Sequence, residues 1–293
     1  MKPYLADPMH TRAVLNRYEL TARKQFGQNF LIDPHVAETI LETAGVGKDD
    51  CMLEIGPGIG TLTQYLAEAA GKVVAVELDH KLIPVLEDTL SFWHNVTVIQ
   101  GDILKQDLAE LAERENGGRP FKVVANLPYY ITTPILMKLL SGDAPIGSIT
   151  VMVQAEMARR MQAGPGGKDY GSVSLAVQYY AEPRIAARVT PDAFMPQPGV
   201  DSAVLHLTKR EKPPVETDDP GYMFDVIKGP FLQRRKMLAN ALQNQPSLRC
   251  SREDVTEALG EMGLSPQIRG EVLTLAEFAE LSGRIRNITT GRA

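Results

Sequence analysis

The sequence is poor in the residues that bind metals or cross-link chains. It has two cysteines, Cys51 and Cys250, in no metal-binding spacing, and five scattered histidines. A zinc site or a His-dependent nucleophilic triad therefore finds no support, and no metal is expected. Isolated thiols fit a reducing, cytoplasmic setting. No run approaches the ~20 apolar residues of a membrane-spanning helix, so no membrane partner is expected. Met1 to Arg12 lacks the apolar core of a signal peptide. Internal repeats are absent. There is no basic surplus either: 31 Lys and Arg face 36 Asp and Glu, for a net charge of −5. The total argues mildly against a nucleic-acid binder, although a polyanion responds to the local field. Basic residues are grouped at Arg12, Arg17, Arg23 and Lys24, at Arg159 and Arg160, and at Arg234, Arg235 and Lys236. Any one of these groups reads first as solvated surface.

What is present is an ordinary globular chain of 293 residues, 44% hydrophobic and 23% charged. That is enough for one large domain and a small one, or for two ordinary ones. Asp33-Pro34 is an N-cap followed by proline at the first helical position, and Gly45 and Gly47 end the helix it opens. From Cys51 onward short apolar strands alternate with amphipathic helices. Strands are expected at 51–55, 72–76, 96–99, 123–126 and 149–153, with a closing pair at 185–190 and 203–208. This predicts an α/β, Rossmann-like domain with a mostly parallel seven-stranded sheet covered on both faces. Residues 164–167 read as a mobile loop. Around 209–220 the composition turns to Lys, Pro and acidic turn residues, and beyond it the pattern is helical, including one helix over 224–244. The expected organisation is an arm plus sheet domain over 1–208, then a linker and a small all-helical domain over 209–293.

Open α/β sheets bind ligands at the carboxyl ends of their strands. Gly56, Gly58 and Gly60 follow the first of these five strands and permit close backbone approach. The dinucleotide pattern would need its third glycine at position 61, where Thr61 stands. The turn resembles the G-x-G-x-G turn of S-adenosylmethionine (SAM) methyltransferases, but alone it leaves NAD, SAM and a merely tight turn equally open. Glu77 ends the second strand, where an acid accepting ribose hydroxyls is expected; a surface acid at a helix start is the plain alternative. Asp102, at the third strand's end, can accept from an adenine amino group. Both cofactors carry adenosine, so neither acid separates them.

The fourth strand does. Val123-Val124-Ala125-Asn126-Leu127-Pro128-Tyr129-Tyr130 runs a buried strand into a proline that fixes its own φ and cannot donate to a ladder. Asn126 and Tyr129 are left at the mouth of the sheet. An amide acceptor, a stiff backbone and an aromatic face suit the gripping of a planar amino-bearing base, whereas hydride transfer has no use for them. The plain alternative is a proline-terminated strand with Asn126 capping the next helix and the tyrosines packed.

Taken together with Phe26-Gly27-Gln28-Asn29-Phe30-Leu31, Val76-Glu77-Leu78-Asp79, Gly101-Asp102, the run from Ala193 to Ser202 and Gln233-Arg234-Arg235-Lys236, these motifs give the chain a family resemblance. It is similar to the ribosomal RNA adenine N6-dimethyltransferases of the KsgA/RsmA type, over essentially its whole length. The resemblance implies SAM as cofactor, S-adenosylhomocysteine as product, and 16S rRNA in the immature small (30S) ribosomal subunit as partner, for a monomeric cytoplasmic enzyme. It implies that Asn29, the backbone of Leu31, Gly56, Glu77, Asp102 and Asn126 hold SAM. Asn126, Leu127, Pro128, Tyr129 and Phe194 would form the catalytic pocket, with Tyr129 and Phe194 sandwiching the base. On its own, Phe194 reads as a core residue before a Pro-rich turn. Arg234, Arg235 and Lys236, expected on a helix, would meet RNA phosphates. The erythromycin-resistance methyltransferases of 23S rRNA share this chemistry and are the nearest alternative; a non-catalytic small-subunit assembly factor is another.

Overall fold

The structure, a computed structural model, describes residues 4–20, 28–128, 130–142 and 144–291. Its contacts divide the chain into two compact units. The first comprises 1–158 and 181–209, the second 159–180 and 210–293.

In the first unit a helix, α1 (Pro8–Arg17), is capped by Asp7, and a two-residue strand, β1 (Phe30–Leu31), follows. Then come α2 (Pro34–Ala44), β2 (Cys51–Ile55), α3 (Thr61–Ala69), β3 (Lys72–Glu77), α4 (Ile83–Thr89), β4 (Val96–Gln100), α5 (Leu108–Asn116), β5 (Phe121–Asn126), α6 (Thr132–Leu140) and β6 (Ile146–Gln154). Helix α7 (Ala155–Gln162) leads into the second unit, and α8 (Ser172–Tyr180) lies within it. The chain then returns for β7 (Ala181–Val189), β8 (Phe194–Met195) and β9 (Ser202–Lys209). The caps follow the expected chemistry: the Asp33 carboxylate accepts from the His35 N–H, and Gly45 closes α2 in the left-handed region.

The main sheet runs β4-β3-β2-β5-β6-β9-β7. Its first five strands are parallel, and β9 is antiparallel to both neighbours. Chain order reverses at β2/β5, the kind of switch point where open sheets bind ligands. One face packs Met52, Val73, Val124, Met152 and Val204 against Ile40 and Ala44 of α2 and Leu62 and Leu66 of α3. The alternate residues Leu53, Val74, Val123 and Val151 are also buried, so both faces are covered. That explains strands that read as continuous apolar runs. Beside this sheet, β1 pairs antiparallel with β8, placing Leu31 opposite Phe194.

The second unit gathers α8 with α9 (Pro220–Leu232), α10 (Leu238–Leu242), α11 (Arg252–Glu261) and α12 (Leu275–Thr290) around Tyr170, Val226, Leu242, Leu259 and Phe278. Both α11 and α12 open with full capping boxes, Ser251 with Asp254 and Thr274 with Glu277. No helix among the described residues is long and apolar enough to cross a membrane.

Three expectations need correction. Residues 159–180 do not belong with the sheet domain, because Tyr170, Leu175 and Tyr179 bury themselves in the helical core. The single helix over 224–244 is broken. Pro230 sits in the last turn of α9, Gln233 leaves the helical region, and Arg234-Arg235-Lys236 lie in the turn before α10. Nor is 164–167 loose, since the Gly166 N–H donates to the Glu271 carbonyl at 2.8 Å and Gly167 and Lys168 carbonyls accept from Arg234.

Candidate active site

A cleft of about 1190 Å³, open mouth included, lies at the carboxyl ends of β2 to β5. It is built around the turn after β2. Gly56, Gly58 and Gly60 all have φ in the left-handed region, at +68°, +62° and +94°. Only glycine takes that conformation at little cost, which is the physical reason for the repeated glycines. A Cβ at Gly60 would also meet Leu90 and Thr89 at 3.1 Å.

The turn is tied to the second strand's acid. Glu77 accepts from the Gly58 N–H through Oε2 at 3.1 Å and from the Asp79 N–H through Oε1 at 2.8 Å. Burial raises its pKa above the ordinary carboxyl value, and the main-chain N–H groups of Asp79, Gly58 and Leu78 oppose that rise. Each oxygen keeps a second lone pair, so the carboxylate is held in place and can still accept hydroxyl hydrogens. At the end of β4, Asp102 accepts from the Leu104 N–H through Oδ1 at 2.9 Å. Its other oxygen has no partner among the described residues.

On the far side of β2, Asn126 ends β5. Its Nδ2 donates to the Asn29 carbonyl at 3.1 Å, while Oδ1 has no partner among the described residues. The Leu127 N–H continues the sheet by donating to the Met152 carbonyl at 3.2 Å. Pro128 ends the ladder as expected, and its carbonyl accepts from the Ile131 N–H and the Thr132 hydroxyl, starting α6. Asn126 therefore does not cap that helix.

The cleft thus brings together Asn29, Leu31, Gly56, Glu77, Asp102, Asn126, Leu127, Pro128 and Phe194. Phe194 belongs equally to the hydrophobic core and is 2% exposed, so it forms a wall of the cleft and not an open stacking platform. Tyr129 lies outside the described residues. Arg234, Arg235 and Lys236 belong to the second unit and line no part of this cleft.

Among the lining residues to which sequence reasoning gave no role, four stand out. Leu78 and Ile103 follow the two strand-end acids and give the cleft apolar surface beside them. Glu54 and Thr61 matter more. Glu54 is 2% exposed, and its Oε2 and the Thr61 Oγ1 are buried without hydrogen-bond partners. Burial pushes the Glu54 carboxyl up to about 8, and the Glu77 carboxylate adds to the rise. The Thr63 hydroxyl beside it offsets part of this without reaching hydrogen-bond geometry. An unsatisfied buried carboxylate is costly. The signal in the sequence was a charged residue inside the otherwise apolar strand Cys51–Ile55.

The family model for ribosomal RNA adenine dimethylases matches residues 19–278. The chain is 57% identical over 280 residues to the ribosomal RNA small subunit methyltransferase A of Lachnoclostridium phytofermentans, covering 95% of this chain and 97% of that one. It is 49% identical over 283 residues to the protein of that name from Geobacillus thermodenitrificans, covering 96% and 97%. Among solved structures, the 23S rRNA methyltransferase ErmE aligns with a TM-score of 0.65 at 27% identity, over 88% of this chain and 100% of that one. A dimethyladenosine transferase from Plasmodium falciparum shares the fold with a TM-score of 0.73 at 22% identity, over 89% and 98%. With the match running through both units, this chain belongs to the ribosomal RNA adenine dimethylase family, enzymes on a SAM-dependent methyltransferase fold.

Proposed function

We propose that this protein dimethylates N6 of two adjacent adenosines in a loop near the 3′ end of 16S rRNA, within the immature small ribosomal subunit, acting as a cytoplasmic monomer. The observation that carries the reading is the fixed amide of Asn126, which leaves an oxygen acceptor at the mouth of the cleft. The near full-length identity to small-subunit methyltransferases supports the choice of 16S over 23S rRNA.

The residues present fit SAM. Glu77 would accept from the ribose hydroxyls and the free oxygen of Asp102 from the adenine amino group, between Leu78 and Ile103. Gly56 and the Asn29–Leu31 segment would line its path. The two orphaned oxygens, Glu54 Oε2 and Thr61 Oγ1, suit the charged amino-acid end, where an ammonium would relieve an unpaired carboxylate. When bound, SAM supplies an electrophilic methyl group on a sulfonium.

The N6 lone pair of adenine is delocalised into the ring, so the amine is a weak nucleophile. Asn126 Oδ1 and the Leu127 carbonyl would accept the two N6 hydrogens and draw the nitrogen towards tetrahedral geometry. Catalysis is then positioning and electrostatics. No early general base is needed, because the N6 proton becomes acidic only as the new C–N bond forms. A second transfer requires the pocket to accept one methyl in place of one hydrogen. The base must leave its stack to reach the site; Tyr129 is the aromatic partner proposed for it, with Phe194 closing the wall of the cleft.

The test is methylation of immature small subunits and of large subunits with labelled SAM, followed by mapping of the modified bases. Label confined to adjacent adenosines of 16S rRNA is expected. Label in 23S rRNA alone would transfer the protein to the erythromycin-resistance reading, and no label in either would leave the assembly-factor reading.

A further inference from the structure

In the second unit, Arg234 does not project as a free cation. Its Nη1 donates to the Lys168 carbonyl at 2.9 Å, and its Nη2 reaches the Gly167 carbonyl at 3.4 Å and the Glu271 carboxylate at 3.2 Å. The same loop is held again by the Gly166 N–H on the Glu271 carbonyl at 2.8 Å and by the Arg159–Asp169 pair at 3.9 Å. Gly166 adopts φ +83°, a bend that the other residue types take at a cost. Two segments 66 residues apart are thereby joined through one guanidinium.

The pairing has an electrostatic result. The two carboxylates at the junction, Asp169 and Glu271, are each paired with an arginine that holds the loop. Lys168, Arg235 and Lys236 are left exposed and without an ion pair among the described residues. Three uncompensated cations on a braced loop and an adjoining turn form a positive surface in a chain of net charge −5. A surface of that kind is suited to phosphates, which are contacted without regard to sequence.

We propose that residues 164–168 and 233–236 form one docking surface for the phosphate backbone of rRNA. Lys168, Arg235 and Lys236 are its contacts, and Arg234 is a positioning residue that holds the loop. This rests on rRNA as the substrate. It assigns Lys168 a role that the sequence did not suggest and removes Arg234 from the direct phosphate contacts.

The test measures binding of the full chain to a 16S rRNA 3′-terminal fragment by fluorescence anisotropy across a salt series. Amide hydrogen exchange at Gly166 is followed in the free protein. Lys168→Gln, at an exposed position, should weaken binding about fivefold at physiological salt and lower the salt slope by roughly 0.7–0.9, the amount for one phosphate contact. Arg234→Lys keeps the charge and loses the fork. It should produce a similar loss in affinity and slope and faster exchange at Gly166, and Lys168→Gln should add little in that background. Wild-type affinity and slope in Lys168→Gln would overturn the proposal, as would an Arg234→Lys protein with unchanged slope and unchanged Gly166 exchange. A wild-type protein that fails to bind the RNA at all would sink the substrate reading, while Gly166 exchange would still report on the brace.

Discussion

The Asn126 Nδ2 donates to the main-chain carbonyl of Asn29 at 3.1 Å, across 97 residues of sequence. The contact fixes which end of the amide faces the protein. A strand end and the segment entering β1 together decide that an oxygen, not an N–H, is offered to the ligand.

Asn126→Ala should cut the methylation rate by about two orders of magnitude or more while SAM still binds. Asn126→Asp should also fail, for a different reason: a carboxylate cannot donate to the Asn29 carbonyl and would be repelled by it. Single-turnover assays with parallel SAM titrations check both. Near-wild-type turnover in Asn126→Ala would remove the residue from its role.

Glu77→Ala should weaken SAM binding by roughly 1.5–3 kcal/mol, the worth of a charged hydrogen bond. Glu77→Gln should recover little of this. Both native oxygens accept main-chain N–H groups, and the glutamine amide would set its NH₂ against one of them. Calorimetric titration reads both values, and unchanged affinity in Glu77→Ala would refute the assignment.

Glu54 makes stability depend on pH. Its carboxyl rises from the ordinary 4.5 to about 8 in the folded protein. Between those values the folded state holds a proton that the unfolded chain has released. Stability therefore falls as pH rises through that window and levels off above it. Glu54→Gln removes the titration, so its stability relative to wild type should climb from about pH 5 to about pH 8, with a ceiling of about 5 kcal/mol at 1.36 kcal/mol per pH unit. Denaturant melts of the ligand-free proteins at several pH values give the difference, and a pH-independent difference would exclude a buried neutral Glu54.

Gly60→Ala should destabilise the fold by roughly 1–2 kcal/mol from its left-handed φ. The 3.1 Å contacts with Leu90 and Thr89 add to that. Gly56→Ala, with a similar φ and open space around its Cβ, should cost less. Thermal unfolding of the two variants gives the order, and equal loss would show that the packing contact is absorbed by side-chain movement.

The sheet was legible because its first four parallel strands in the chain are short apolar runs closed by glycine, proline or an acid, and those closures line the cleft. Asp33-Pro34 and Gly45 announced α2 through local chemistry alone. What could not be read depends on contacts distant in sequence. Tyr179 looks like any helical aromatic and Tyr170 like any loop tyrosine until the residues beyond 210 are packed on them. Arg234 looks like its neighbours Arg235 and Lys236, since nothing local shows that Gly167 and Lys168 receive its hydrogens. Glu54 was visible as an oddity, but its orphaned oxygen appears only once β2 is enclosed by its neighbours.

The order β4-β3-β2-β5 turns the strand exits into a graduated scale. Asp102, Glu77, the glycine turn and Asn126 stand on successive strands, about 4.8 Å apart, so the scale measures some 14 Å from end to end. A molecule that reaches only from Asp102 to Glu77, such as a free nucleoside, would occupy about a third of it and leave the Asn126 end open to RNA. On the proposed reading, a ligand that extends a nucleoside past the glycine turn would meet the incoming base, so length as well as chemical identity would select what this sheet accepts.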